Sequence, residues 1–280
     1  MNIFKEGLYI VSTPIGNLDD ITLRSLDVLK KSDIILCEDT RRSIKLLNHY
    51  NIKKKLISYH KFNEQAELKK VIEYLNEGKI LSLISDAGTP TLSDPGLILV
   101  KECIKKNINI FPIPGPSSIT ATMSLSGYED KFLFYGFLPK TENQIIKTLN
   151  NIKNLDFALV FFIPGIKINF YIKFFKEFFS GRDIFIAREI TKIHETFYRN
   201  SIDSIDIFKN SLKGELTVVI SKKYNNNESL KDIEIKNQAI KYLKKYSLKD
   251  VVELISKKEK ISKKIVYEIC LNVKNDTKNN

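Results

Sequence analysis

Three loops in the first half of the chain limit the folds open to it. They are Ser12-Thr13-Pro14-Ile15-Gly16-Asn17, the stretch from Ser85-Asp86-Ala87-Gly88-Thr89-Pro90 to Asp94-Pro95-Gly96, and Pro112-Ile113-Pro114-Gly115-Pro116-Ser117-Ser118. Each is dense in glycine, proline and small hydroxyls, and each follows a short apolar run. Residues 8–12, 33–37, 55–59, 80–84 and 109–113 are runs of strand length. Between them lie amphipathic segments. Residues 18–31 read as a helix with Leu18, Ile21, Leu26, Val28 and Leu29 on one arc and Asp20, Arg24, Asp27 and Lys31 opposite. Residues 64–76 read as a second helix, ended by Gly78. Strands alternating with helices specify an α/β fold with a largely parallel sheet covered on both faces. In such a sheet ligands sit beyond the carboxyl ends of the strands, where loops of this kind converge. Glycine there lets backbone approach a ligand closely, and Gly88 is where that approach is expected to matter.

After Gly127 the pattern changes. Residues 132–138, 157–163, 183–190 and 216–221 are further strands, the first of them aromatic. The expected division is an α/β domain at 1–125 carrying the loops, a second α/β domain at 126–224 and a helical tail at 225–280. The polar break Asn225-Asn226-Asn227-Glu228-Ser229 opens the tail. Within it Ser247-Leu248-Lys249-Asp250 reads as a capping box and Ser262 as a second cap, which gives two short helices. Residues 274–280 are expected to fray.

Composition narrows the class. The chain is 43% hydrophobic and 28% charged, as globular proteins are. No stretch reaches the roughly 18 apolar residues of a spanning helix. The N-terminus lacks the apolar core of a signal peptide, so a cytoplasmic location is expected. Cys37, Cys103 and Cys270 lie far apart in apolar runs, which reads as buried thiols and not as a disulfide framework or zinc site. His49, His60 and His194 have no metal-ligand spacing, and no metal is expected. The net charge of +12 favours a polyanionic partner, nucleic acid before a membrane surface. Only six of the 45 basic residues are arginine, and lysine, asparagine and isoleucine are abundant together. Charge alone therefore fits compositional drift as well as binding.

The first loop has a single glycine, so it is no Gly-x-Gly-x-x-Gly fingerprint, and no Gly-Lys-Ser/Thr follows it. That argues against NAD and ATP and for a ligand held by backbone groups and apolar contacts. The motifs also form an ordered set. Thr13-Pro14-Ile15-Gly16-Asn17-Leu18 is followed by Cys37-Glu38-Asp39-Thr40-Arg41, by Ser85-Asp86-Ala87-Gly88-Thr89-Pro90 with Ser93-Asp94-Pro95-Gly96, and by Pro114-Gly115-Pro116-Ser117. Ala187-Arg188-Glu189-Ile190-Thr191-Lys192-Ile193-His194-Glu195 and Lys213-Gly214-Glu215 complete it. Over about residues 6–221 this set resembles the ribosomal RNA small subunit methyltransferase I family, within the tetrapyrrole methylase superfamily.

The resemblance implies two α/β domains with S-adenosylmethionine in the cleft between them. It implies methyl transfer to the ribose 2′-oxygen of a cytidine in the decoding region of 16S rRNA, free or in the small subunit, and a homodimer is common in the superfamily. Carried over by motif, the cofactor contacts are Ile15, Ala87, Gly88, Thr89, Leu92, Ser117 and Ser118, with Ile163 and the segment near Ala187 from the second domain. One stretch departs from the family. Where it has Glu-Ser-Pro-His-Arg, this chain reads Ile163-Pro164-Gly165-Ile166-Lys167, and only a lysine keeps the charge.

Methyl transfer needs alignment and a group to take the hydroxyl proton. Asp39, Arg41 and Asp86 are the candidate catalytic residues, with Glu38 and Asp94 as further carboxylates at strand ends. Other readings stay open. Asp86 and Asp94 can bond amides of their own loop. Glu38 and Asp39 can pair with Arg41 and Arg42, or those arginines can grip RNA phosphate. His194 can act as a base or orient its loop, and the lysine-rich tail can touch rRNA backbone or simply be solvated. Two rival functions remain: methylation of a tetrapyrrole or another target such as a protein, and RNA binding without catalysis.

Overall fold

The computed structural model describes residues 4–128, 131–209, 212–223, 230–259 and 261–276. The chain divides into two compact units, at residues 1–223 and 224–280. The first unit holds two five-stranded sheets.

The first sheet is built from β1 (Gly7–Val11), β2 (Ile34–Cys37), β3 (Lys55–Ser58), β4 (Ile80–Ile84) and β5 (Ile110–Ile113). Their order is β3-β2-β4-β1-β5 and every pairing is parallel. The helices are α1 (Leu23–Lys31), α2 (Thr40–His49), α3 (Glu64–Asn76), α4 (Leu97–Lys105) and α5 (Ser118–Ser126). The strands are apolar on both sides because both faces are covered. Val28 and Leu29 of α1 and Leu47 of α2 pack with Tyr9, Val11, Ile35 and Cys37 on one face. Val71, Ile72 and Leu75 of α3 and Leu99 and Cys103 of α4 pack with Leu8, Leu36, Leu81 and Leu83 on the other. The helices after the neighbouring strands β1 and β4 thus leave on opposite faces, and a crevice opens between their loops.

The expected helix over 18–31 is broken. Asn17 Oδ1 accepts from Asp19 N and turns 18–20 into a 3₁₀ segment; Ile21 is extended and Thr22 caps α1 through Ser25 N at 3.1 Å. Two short polar side chains compete with the helix ladder, and the apolar arc alone did not reveal them.

The second sheet is mixed. Its strands are β6 (Phe132–Phe137), β7 (Ala158–Pro164), β8 (Asp183–Arg188), β9 (Thr196–Ser201) and β10 (Glu215–Ile220), in the order β6-β7-β10-β8-β9. Only β6 and β7 are parallel. The edge strand β9 has no apolar alternation and was not expected from sequence. Helices α6 (Glu142–Ile152) and α7 (Ile168–Phe178) cover one face, against Leu159, Phe161, Ile163, Leu216 and Val218. On the other face Ala158, Val160, Phe185, Ala187 and Val219 pack against Ile119 of α5.

The second unit has three helices among its described residues, not two: α8 (Leu230–Tyr242), α9 (Leu248–Glu259) and α10 (Lys263–Asp276). They share a core of Ile235, Ala239, Val251, Ile255, Val266 and Cys270. Ser247 caps α9 as expected, its Oγ accepting from Asp250 N at 3.3 Å. In sequence, Ser229-Leu230-Lys231-Asp232 at the start of α8 repeats the four residues of the capping box at 247–250, so the helix was marked and was passed over. The polar break at 225–229 lies outside the described residues; α10 runs to Asp276, with 277–280 also outside.

Candidate active site

The three loops meet at the carboxyl edge of the first sheet and are bonded to one another. Thr13 and Gly88 exchange backbone hydrogen bonds, Thr13 N to Gly88 O at 2.9 Å and Gly88 N to Thr13 O at 3.0 Å. Ser12 Oγ lies 3.0 Å from Thr89 Oγ1, which reaches Pro116 O at 3.4 Å. The close backbone approach expected at Gly88 is therefore made to Thr13. With φ at +79° the position favours glycine, and a Cβ there would stand 3.4 Å from Ile15 Cγ2.

The loops face the second sheet across a cavity of about 480 Å³, within the range of small-ligand pockets. From the first sheet it is lined by Ile15, Ala87, Gly88, Thr89, Leu92, Ser117 and Ser118, all expected from the motifs. From the second sheet the lining residues include Phe162, Thr217, Glu189 and Lys192. Ile163 and Ala187 are fully buried and absent from the lining. Side chains alternate along β7, so Phe162 turns to the cavity and Ile163 to the core under α6 and α7. Ala187 shares the cavity-facing side of the sheet but is covered by Ile119 and its neighbours.

Contact across the cleft is tight where Gly16 meets the loop after β8. A Cβ on Gly16 would fall 2.6 Å from Lys192 Cγ and 2.7 Å from Ile190 O. Asn17 N donates to Thr191 Oγ1 at 3.0 Å. Six described residues other than glycine take positive φ, and Thr91, Ser93, Glu189 and Thr191 are four of them. These four sit on the two loops that flank the cavity. Backbone strain concentrated this way is a mark of functional loops.

Carboxylates ring the cavity. Glu38, Asp94 and Glu215 line it together. Burial pushes the Asp94 carboxyl up to about 6, helped by the negative charge of Glu38 and opposed by a hydrogen bond from Ser85. Burial likewise raises Glu38, reinforced by Asp86 and opposed by Arg42 and His60. Burial also raises the Glu215 carboxyl, opposed by the positive charge of Lys192, although the residue as a whole is exposed. Sequence reasoning did not single out Thr217 or Phe162, and it named Glu215 only within the Lys213-Gly214-Glu215 motif, without a role at the site. A lone threonine inside the apolar run of β10 was the available signal.

Of the three residues singled out as catalytic, none lines this cavity, and Asp86 lines a smaller one beside it. Asp39 caps α2 through Arg41 N at 2.8 Å and pairs with the Arg41 guanidinium at 2.8 Å. Those bonds hold its carboxyl well below the usual range. Asp86 accepts from Asp39 N at 3.2 Å and pairs with Arg42 at 3.0 Å. Neither Asp39 nor Asp86 lines the main cavity, and Arg41 is 87% exposed. His194 is exposed on the loop after β8 and is also absent from the lining. In the departing stretch, Pro164 to Lys167 do not line the cavity either; Gly165 N bonds Gly214 O at 2.8 Å.

A parallel sheet with its loops closed onto a mixed sheet is the architecture of a known class. The family model for Tetrapyrrole (Corrin/Porphyrin) Methylases matches residues 7–206. The structure of the methyltransferase CobJ is similar at a TM-score of 0.59 with 17% identity, covering 77% of this chain and 94% of that one. A uroporphyrin-III C-methyltransferase from Thermus thermophilus, complexed with S-adenosyl homocysteine, is similar at a TM-score of 0.56 with 13% identity, over 77% of this chain and 97% of that one. At these identities the likeness shows the fold. The sequence relatives are nearer. The ribosomal RNA small subunit methyltransferase I of Mesomycoplasma conjunctivae is 47% identical over 78% of this chain and 92% of its own length. That of Rickettsia prowazekii is 41% identical over 95% of this chain and 97% of its own. The chain belongs to the ribosomal RNA small subunit methyltransferase I family, and it is a methyltransferase.

Proposed function

We propose that the protein uses S-adenosylmethionine to methylate the ribose 2′-oxygen of a cytidine in the decoding region of 16S rRNA, in the cytoplasm. The observation that carries the donor half is the cavity ringed by Glu38, Asp94 and Glu215. A sulfonium and an ammonium on one ligand suit three converging carboxylates, and Ile15, Leu92, Ile119 and Phe162 supply apolar wall. Ser117 precedes α5 without a side-chain cap, which leaves the first amides of that helix free to receive a carboxylate. The acceptor half is supported by the family and by the net charge of +12.

S-adenosylmethionine, when bound, supplies a methyl group already activated toward a nucleophilic oxygen. The chain's own work is then to align, to exclude water and to take one proton. Glu38, Asp94 and Glu215 hold the cationic end. The apolar wall keeps water from the reacting atoms. Asp94, raised to about 6, is among these carboxylates the one whose proton affinity best suits it to take the proton of an acceptor hydroxyl. Asp39, Asp86 and Arg41 instead fix the start of α2, so that Arg42 reaches the cavity.

The test is incubation with methyl-labelled S-adenosylmethionine and, in separate reactions, under-methylated small subunits, naked 16S rRNA and a tetrapyrrole precursor. Label in a cytidine ribose is expected. Label in the tetrapyrrole, or donor binding with no transfer to any of the three, rejects the assignment.

A further inference from the structure

The cleft continues past Ile15. A second cavity of about 300 Å³ adjoins the first and is walled by Pro14, Leu18, Ser43, Lys45 and Leu46. Ile15, Arg42 and Ala87 line both cavities and so form the partition between them. The two spaces differ in electrostatic character. On the first side stand Glu38, Asp94 and Glu215, and the lysine there, Lys192, is matched by Glu189 at 3.1 Å. On the second side the acidic residue is Asp86, already matched by Arg42 at 3.0 Å. Lys45 lies one turn beyond Arg42 on α2, is exposed, and has no hydrogen-bond or ion-pair partner among the described residues.

A phosphodiester cannot settle among three carboxylates, and a cationic donor gains nothing beside an unmatched lysine. Arg42, pinned at one end of its guanidinium, still presents further donors in a fixed plane. Pro14, Ile15, Leu18 and Leu46 give the second cavity an apolar wall suited to the face of a base or sugar. We infer that this second cavity is the acceptor subsite. It takes one nucleotide of a single RNA strand, with the phosphate on Lys45 and Arg42 and the ribose toward the partition. The inference rests on reading the main cavity as the methyl-donor site and RNA as the acceptor.

The experiment measures binding of a fluorescein-labelled, cytidine-containing single-stranded oligoribonucleotide over a series of salt concentrations, with S-adenosylmethionine affinity measured by calorimetry on the same preparations. The variants are Lys45→Glu and, as a charge-matched control, Lys105→Glu. Lys105 lies on α4, which packs on the opposite face of the first sheet from α2. Lys45→Glu is expected to weaken oligoribonucleotide binding by about tenfold and to lower its salt slope by about one. Lys105→Glu is expected to stay within about twofold of the parent, as a remote charge should. Donor affinity is expected to be the same in all three. Equal losses from the two reversals would reduce the effect to general charge and overturn the subsite. So would full RNA affinity in Lys45→Glu, or loss of its donor affinity. If the parent protein binds neither the oligoribonucleotide nor the donor, the underlying reading fails first and the subsite falls with it.

Discussion

The first sheet is parallel throughout and touches the cavity only through the loops and helix starts at the ends of its strands. The second is mixed, and it contributes both the loop after β8 and residues within the strands themselves, Phe162 of β7 and Thr217 of β10. One wall is made of edges and the other largely of a face. A wall of loops can be specified by local turn chemistry. A wall made by a sheet face depends on the two-residue alternation of strands, so a shift of one position exchanges lining for core.

The contact between the walls gives the largest expected effect. Gly16→Val puts a branched side chain where Lys192 and Ile190 already stand, and pushes the first loop off the second sheet. A stability loss of about 2–3 kcal/mol in chemical denaturation is expected from overpacking, together with loss of detectable S-adenosylmethionine binding by calorimetry. Donor binding at the parent affinity would mean that the two walls act independently.

A matched pair sharpens the distinction between lining and core. Phe162→Ala and Ile163→Ala should each cost about 3 kcal/mol of stability, because both remove packed side chains. Only Phe162→Ala should also weaken donor binding, by about tenfold, the equivalent of some 1.4 kcal/mol. If both variants or neither lose donor affinity at matched folded concentration, the assignment of alternate faces along β7 is broken.

Asp94 gives a smaller, pH-dependent effect. Its folded value of about 6 lies above the ordinary 3.8, so between about pH 4 and 6 the folded state keeps a proton that the unfolded chain has released. Stability therefore falls as pH rises through that window, by on the order of 1 kcal/mol once solvent screening is allowed for. Asp94→Asn should flatten this slope in denaturation series run at several pH values. Donor affinity should move the other way, strengthening as pH rises through about 6, and the same substitution should remove that rise.

The smallest effect is expected at Arg41. Its guanidinium is 87% exposed and pairs with Asp39. Exposed pairs contribute little, so Arg41→Ala should leave the melting temperature and donor affinity unchanged within error. A measurable loss of donor affinity would mean that this exposed pair, and not the Asp86 contacts alone, holds Arg42 at the cavity.

The same contrast explains what the sequence disclosed. Turn chemistry is local, so the convergence of the loops at 12–17, 85–96 and 112–118 could be read from the residues alone, and the first-sheet residues that the family resemblance named line the cavity there. Strands β1 to β5 could be read for a related reason, being short apolar runs bounded by turn residues. Ile163 was singled out where Phe162 lines the cavity, because sequence shows a strand without showing which face looks inward. Asp39 and Asp86 carried the right residue type at strand ends, but their partners, Arg41 N and Arg42, are set by how α2 starts. Strand β9 lacked the alternation to announce it, whereas helix α8 was announced by Ser229-Leu230-Lys231-Asp232, a repeat of the box at 247–250 that was not read as one.

The paired bonds between Thr13 and Gly88 have a thermodynamic consequence. Loops that would otherwise wander are already ordered when the chain folds, so little conformational freedom is left for a ligand to remove. Hydrogen exchange at those two amides should be slow in the ligand-free protein and should change little on addition of S-adenosylmethionine. Binding at this edge of the sheet would then register as heat and displaced water more than as stiffening of the backbone.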